Sequence, residues 1–101
     1  MKTPLLLIAL LCAVLSETAA AHYVKLTWDR YPKRILFFNV YRSEIGCRDY
    51  TLLAGNVRHF THPYYIDRAV SPDKKYCYVV TAVLENGVET RHSHVVRAVI
   101  P

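Results

Sequence analysis

The stretch at residues 70–82, VSPDKKYCYVVTA, narrows the folds open to this chain more than any other. Pro72 and Asp73 break a strand arriving from the N-terminal side. Beyond them Tyr76, Tyr78, Val80 and Ala82 fall on one face, and Cys77, Val79 and Thr81 on the other. A period of two in aromatic and β-branched residues specifies a strand rather than a helix, with the Tyr76 face buried. A strand this apolar needs a sheet around it and a second layer over it.

The rest of the chain supplies both. Residues 22–29, HYVKLTWD, alternate Val24, Leu26 and Trp28 against Lys25 and Thr27, a half-buried strand with Trp28 in the core. Residues 35–42, ILFFNVYR, form a second strand, with Leu36, Phe38 and Val40 on one face and Phe37, Asn39 and Tyr41 on the other. A loop with Gly46 and Cys47 follows, then short strands at 50–54 and 64–67 flanking an irregular stretch at 55–63. Asn86-Gly87 reads as a two-residue hairpin turn. Residues 93–100 close the chain, with Val96, Ala98 and Ile100 alternating against Val95, Arg97 and Val99. Short strands, turn signals between them and no helical period beyond residue 21 predict an all-β sandwich.

The N-terminal segment has a different character. Lys2 precedes an apolar run at residues 4–15, and short side chains at 16–21 end in an A-x-A pattern at Ala19 and Ala21. That is the form of a helical secretory signal peptide at residues 1–21, leaving one domain at 22–101. The run is shorter than the ~20 residues a transmembrane helix needs, so no membrane span is expected in the mature chain. Export places Cys47 and Cys77 in an oxidising compartment, secreted or periplasmic, where a bridge between them would staple a small domain. The formal net charge is +5, with the basic residues scattered singly or in pairs. A nucleic-acid reader concentrates them on one element, so no nucleic-acid partner is expected.

Catalytic patterns are sparse. His92 and His94 would share a strand face, and His59 and His62 lie in the irregular stretch. Each pair offers two ligands where a zinc site takes three or four, so no metal is expected. Ser43, Ser71 and Ser93 lack a nucleophile-elbow context. With Gly46, Gly55 and Gly87 as the only glycines there is no phosphate-cradling loop. No cofactor and no enzymatic activity are expected.

Several motifs in order carry a family resemblance. Val24, Leu26 and Trp28 are followed by NVYRS at 39–43, YID at 65–67, V-x-P-x-x-x-Y at 70–76, NGVET at 86–90 with Ser93, and the closing AVIP. Together they resemble a fibronectin type III domain, in particular the modules of secreted bacterial proteins, over nearly the whole mature chain. The resemblance implies a Greek-key, immunoglobulin-like sandwich of a three-stranded sheet (A, B, E) on a four-stranded one (C′, C, F, G). Residues 70–82 become the E–F corner and strand F, with Tyr76 as the corner tyrosine that binds backbone upstream. Asp67 is implied to stabilise the turn after strand E.

Two departures from the family follow. Its members carry a strand A some ten residues before the tryptophan, whereas here only His22 and Tyr23 precede Val24 after the expected cleavage point. Strand A is expected short or missing, with the strand B edge either covered by the N-terminal residues or completed by β-edge self-association. The second departure is Cys77, whose parity is wrong for a core disulfide. It should point outward beside the end of strand C, within reach of Cys47. The function implied is a secreted, non-catalytic module binding protein or glycan at the cell envelope, or acting as a spacer. The competing expectation is an accessory fragment of a larger exported carbohydrate-active enzyme or adhesin. Phe37 and Tyr41 on the outer face of strand C, with Arg42 and Arg48 nearby, are the expected interaction surface.

Overall fold

The computed structural model describes residues 16–44 and 46–101, which form two antiparallel sheets packed face to face. The strands are β1 (Ser16–Ala20), β2 (Tyr23–Thr27), β3 (Ile35–Ser43), β4 (Thr51–Val57), β5 (Tyr64–Asp67), β6 (Lys75–Leu84) and β7 (Val96–Val99). One sheet has the order β1-β2-β5 and the other β4-β3-β6-β7. This is the division into ABE and C′CFG sheets that the resemblance implied.

The core lies where the alternation places it. Val24, Leu26 and Trp28 from the β2 side meet Phe38 and Val40 of β3, Tyr76, Tyr78, Val80 and Ala82 of β6, and Ala98 and Ile100. Trp28 packs edge-on against Phe38, with ring centroids 5.3 Å apart, a geometry the ring quadrupoles favour.

β6 outruns its partner β7, and side chains complete the ladder. Ser93 Oγ accepts from the Val80 N–H and Thr90 Oγ1 from the Ala82 N–H, each at 2.9 Å. Their own N–H groups donate back to the carbonyls of Val80 and Ala82, at 2.8 Å. Both side chains are buried, so Ser93 and Thr90 stand in for a strand that has left the sheet.

Pairing moves several boundaries expected from the sequence. Leu36, expected in the core, is 41% exposed. The β3–β6 register slips between Ile35 and Phe37, so Leu36 is the extra residue of a bulge, and Ile35 packs against the core in its place. The stretch at 55–63 is not wholly irregular, because β4 continues through Gly55 and Asn56 to Val57, with Asn56 at φ 61° where the β3 pairing is also irregular. The Asn86-Gly87 turn is not a two-residue hairpin. Gly87 alone takes positive φ (88°), its N–H donates to the Leu84 carbonyl, and Leu84 N–H donates to the Val88 carbonyl. That is a type I turn followed by a left-handed glycine, the three-residue alternative.

The largest difference concerns strand A. It is present as five residues, β1, paired along β2 from Ser16↔Thr27 to Ala20↔Tyr23. The β2 edge is therefore covered, and by residues inside the segment read as a signal peptide. Residues 1–15 of that segment lie outside the described residues.

A chain truncated to begin at His22 would lose β1 and bare the β2 edge. The strand hydrogen bonds lost and the ordering entropy regained nearly cancel, so the expected cost is about 1 kcal/mol, or roughly 4–8 °C in Tm. The larger effect is expected in size-exclusion chromatography, as concentration-dependent association of the truncated chain. A monomer at all concentrations would show that the edge is protected by other means.

Candidate functional site

The side chains with the most chemistry gather at two places, the corner beside β5 and β6 and the outer face of the four-stranded sheet. At the corner Asp67 ends β5 with 1% of its surface exposed, a burial its sequence context did not signal. Its carboxylate accepts from Arg42 Nη1 at 2.9 and 3.2 Å, from Tyr78 OH at 2.7 Å and from the Ala69 N–H at 3.0 Å. Arg42 Nη1 also donates to the Ala69 carbonyl, at 3.0 Å, and the guanidinium lies 5.2 Å from the Tyr76 ring centroid. Tyr76 OH accepts from the Ser71 N–H at 2.9 Å, the backbone contact five residues upstream implied for a corner tyrosine.

This network determines the charge states at the corner. Burial, then the Asp67 carboxylate, push the Tyr78 phenol up, so it remains a donor through the neutral range. Burial opposes the Arg42 charge, but the hydrogen bond and charge of Asp67 outweigh it and hold the guanidinium protonated. Arg42 leaves 16% of its side chain exposed and is turned toward Asp67, so its position is a structural one.

On the outer face, β3 and β6 pair Phe37 with Val83, Asn39 with Thr81, Tyr41 with Val79 and Ser43 with Cys77. Glu89 reaches across both strands, its Oε2 accepting from Asn39 Nδ2 at 3.2 Å, from Thr81 Oγ1 at 2.5 Å and from Tyr41 OH. Phe37 and Tyr41 are half-buried and Arg48 is exposed on the neighbouring loop. Phe37 and Tyr41 share the outer face of β3, while Arg42 belongs to the corner. Glu89 is the residue of this face that the strand pattern did not single out, since it lies some fifty positions from Asn39.

Burial works against ionisation of Glu89, but the hydrogen bonds from Thr81, Tyr41 and Asn39 hold its carboxyl below the usual carboxylate range. A depressed folded pKa gives stability that is present above the unfolded value of about 4.3 and lost as pH falls through the folded value. Glu89→Gln is therefore expected to flatten the acid limb of a Tm-versus-pH curve below about pH 4.3. An unchanged acid limb would remove Glu89 from the account.

Cys47 and Cys77 are bridged, with Cα atoms 5.2 Å apart. Cys77 faces away from the main core cluster and ties β6 to the loop after β3. Ser43 Oγ supports the same loop by donating to the Arg48 carbonyl. Tyr78, at the position a core disulfide would take, is fully buried and bound to Asp67.

The histidines do not converge. His92 lies near the Tyr50 ring and its Nδ1 meets the Ser93 carbonyl, while His59 stacks on Tyr64 with centroids 4.3 Å apart. Among the described residues no three His, Cys, Asp or Glu side chains are grouped as metal ligands. No helix among them is long and apolar enough to cross a membrane.

At the end of the sandwich opposite the disulfide, the loop after β2 and the turn before β5 frame an open cleft of about 690 Å³. A second, of about 450 Å³, shares Arg30 and Thr61 with it and is walled by Trp28.

No family model and no curated protein matches this chain. Solved structures do. A Fn3-like protein from Clostridium thermocellum is similar at 31% identity and TM-score 0.69, over 89% of this chain and 95% of that one. Part of a β-1,2-glucanase from Parabacteroides distasonis is similar at 29% identity and TM-score 0.68, over 87% of this chain and 12% of the glucanase. A pectate lyase from Pectobacterium carotovorum, at 20% identity and TM-score 0.70 over 86% of this chain and 26% of the lyase, shares the fold. The disulfide and the bacterial Fn3-like relative are compatible with an extracellular location. With the corner tyrosine, the two-sheet order and this relative agreeing over nearly its whole length, the chain belongs to the fibronectin type III-like family.

Proposed function

We propose that this protein is a non-catalytic module, exported to the cell envelope through its N-terminal segment, that binds protein or glycan through its loops and outer sheet face. The observation that carries this reading is the likeness to a Fn3-like protein that the chain covers almost completely. The commitment of the most deeply buried charged group to the fold supports it: Asp67 spends its carboxylate on Arg42, Tyr78 and backbone. Phe37 and Tyr41 remain as contacts on the outer face, with Arg48 on the neighbouring loop.

Fractionation with thiol alkylation tests the reading. The chain expressed with its own N-terminal segment is expected in the envelope or extracellular fraction, with Cys47 and Cys77 protected. Recovery in the cytosol with two alkylatable thiols would overturn it. The second reading, an accessory part of a larger exported carbohydrate-active enzyme, is favoured by the share of the glucanase that this fold occupies. A reading frame continuing past Pro101 into a catalytic domain would establish it.

A further inference from the structure

We infer that the paired clefts at the Arg30–Thr61 end form a binding site for an acidic polysaccharide, one bearing uronate or sulfate groups. The inference rests on the binding-module reading and assigns it a site and a ligand chemistry. Four basic side chains, Lys25, Arg30, Lys33 and Arg34, surround the two clefts, against two acidic ones, Asp29 and Glu85. Glu85 lies 3.9 Å from Arg34, whose side chain is 88% exposed. Arg30 and Lys33 have no ion-pair partner among the described residues and are exposed. The cleft therefore presents uncompensated positive charge to anything lying in it.

An aromatic ring beside the cations sets this place apart from a solvated basic loop. Phe60 is 41% exposed, yet one side of it is anchored 6.3 Å from the buried Phe38 ring. That contact holds one side of the ring against the core and leaves the other accessible to a sugar face. Tyr64, in the second cleft, is already stacked on His59 and has Lys25 over its ring at 5.8 Å. Phe60 is thus the ring left for a ligand. Two adjoining clefts that share Arg30 and Thr61 suit a chain molecule running from one into the other, with anionic groups meeting Arg30 and Lys33 while a pyranose face covers Phe60.

Affinity electrophoresis of the disulfide-bonded full chain tests the site, using gels that contain polygalacturonate, dextran sulfate or neutral dextran. Retardation is expected in one or both acidic gels and not in neutral dextran, the stronger of the two naming carboxylate or sulfate as the source. The double variant R30A/K33A is expected to bind roughly tenfold more weakly and to lose most of the salt dependence. Phe60→Ala is expected to weaken binding about fivefold with its salt dependence kept. Thermal melts within a few degrees of the parent's would certify that both variants are folded.

Equal retardation of parent and both variants would overturn the site. Loss of binding in Phe37→Ala rather than in R30A/K33A would overturn the site while keeping the binding-module reading. An oligonucleotide held as tightly as the acidic glycans would overturn the glycan assignment, because charge alone would then account for binding. No retardation in either acidic gel would overturn the inference and leave the export and fractionation test of the module unaffected.

Discussion

Asp67→Ala is expected to lower the free energy of unfolding by about 3 to 5 kcal/mol. The carboxylate is buried and serves three donors, so its removal orphans the Tyr78 hydroxyl and the Ala69 N–H and leaves Arg42 short of its main counter-charge. An unsatisfied buried polar group costs about 1 to 3 kcal/mol, and breaking a buried ion pair from one side costs more. Arg42 limits the damage because part of its side chain reaches solvent and Glu44 lies 3.4 Å from Nη2. A domain of this size is held together by roughly 4 to 12 kcal/mol, so the variant would be near its folding limit at room temperature.

Asp67→Asn separates charge from shape. The amide oxygen still accepts from Ala69 or Tyr78, so a loss of about 1 to 2 kcal/mol is expected from the missing charge alone. Urea unfolding followed by tryptophan fluorescence reads both, since Trp28 is the single tryptophan and sits in the core. Equal midpoints for the parent and Asp67→Ala would mean that the corner is held by Tyr76 and the backbone without the ion pair.

Opening the Cys47–Cys77 bridge is the second large effect. The cysteines are 30 residues apart, and in the chain-entropy model a loop of that length is worth about 3 to 4 kcal/mol. Strain in the native loop offsets part of that gain, because Gly46, Cys47 and Asp49 all sit at positive φ, at 57°, 57° and 55°. For the two non-glycine residues that backbone is unfavourable, and the cross-link holds it in place. The C47S/C77S variant is expected to melt at least 10 °C below the parent, given 4–8 °C per kcal/mol for small domains. Its outer sheet face should also loosen, seen as faster amide exchange at Ser43 and at position 77, which pair across β3 and β6. A variant that melts with the parent would show that the loop is held by Ser43 and its neighbours instead.

The strand cores were legible in the sequence, because a period of two is a local property. Tyr76, Tyr78, Val80 and Ala82 are buried together, and Val24, Leu26 and Trp28 face them. Parity turned Cys77 away from the main core cluster, and the antiparallel pairing of β3 with β6 that the family resemblance implied brought it to Cys47. The candidate surface was legible in part. Phe37 and Tyr41 alternate outward as expected, but the acceptor that organises Tyr41 is Glu89, which no local pattern connects to it.

What the amino-acid sequence by itself determined is the strands from β2 onward and most of their inner faces, which depend on side-chain alternation and short-range turn chemistry, while the corner tyrosine and the neighbouring strands that join the two cysteines were implied by the family resemblance. The tertiary structure decided the rest, where pairing between distant segments selects among locally equivalent options. The bulge that turned Leu36 outward and Ile35 inward is a property of the β3–β6 register. The burial of Asp67 needs β3, β5 and β6 together, since its partners Arg42 and Tyr78 lie 25 and 11 positions away. Strand β1 comes from residues whose composition reads as a leader, and it is a strand because the β2 edge offers unpaired backbone groups that a neighbouring segment satisfies.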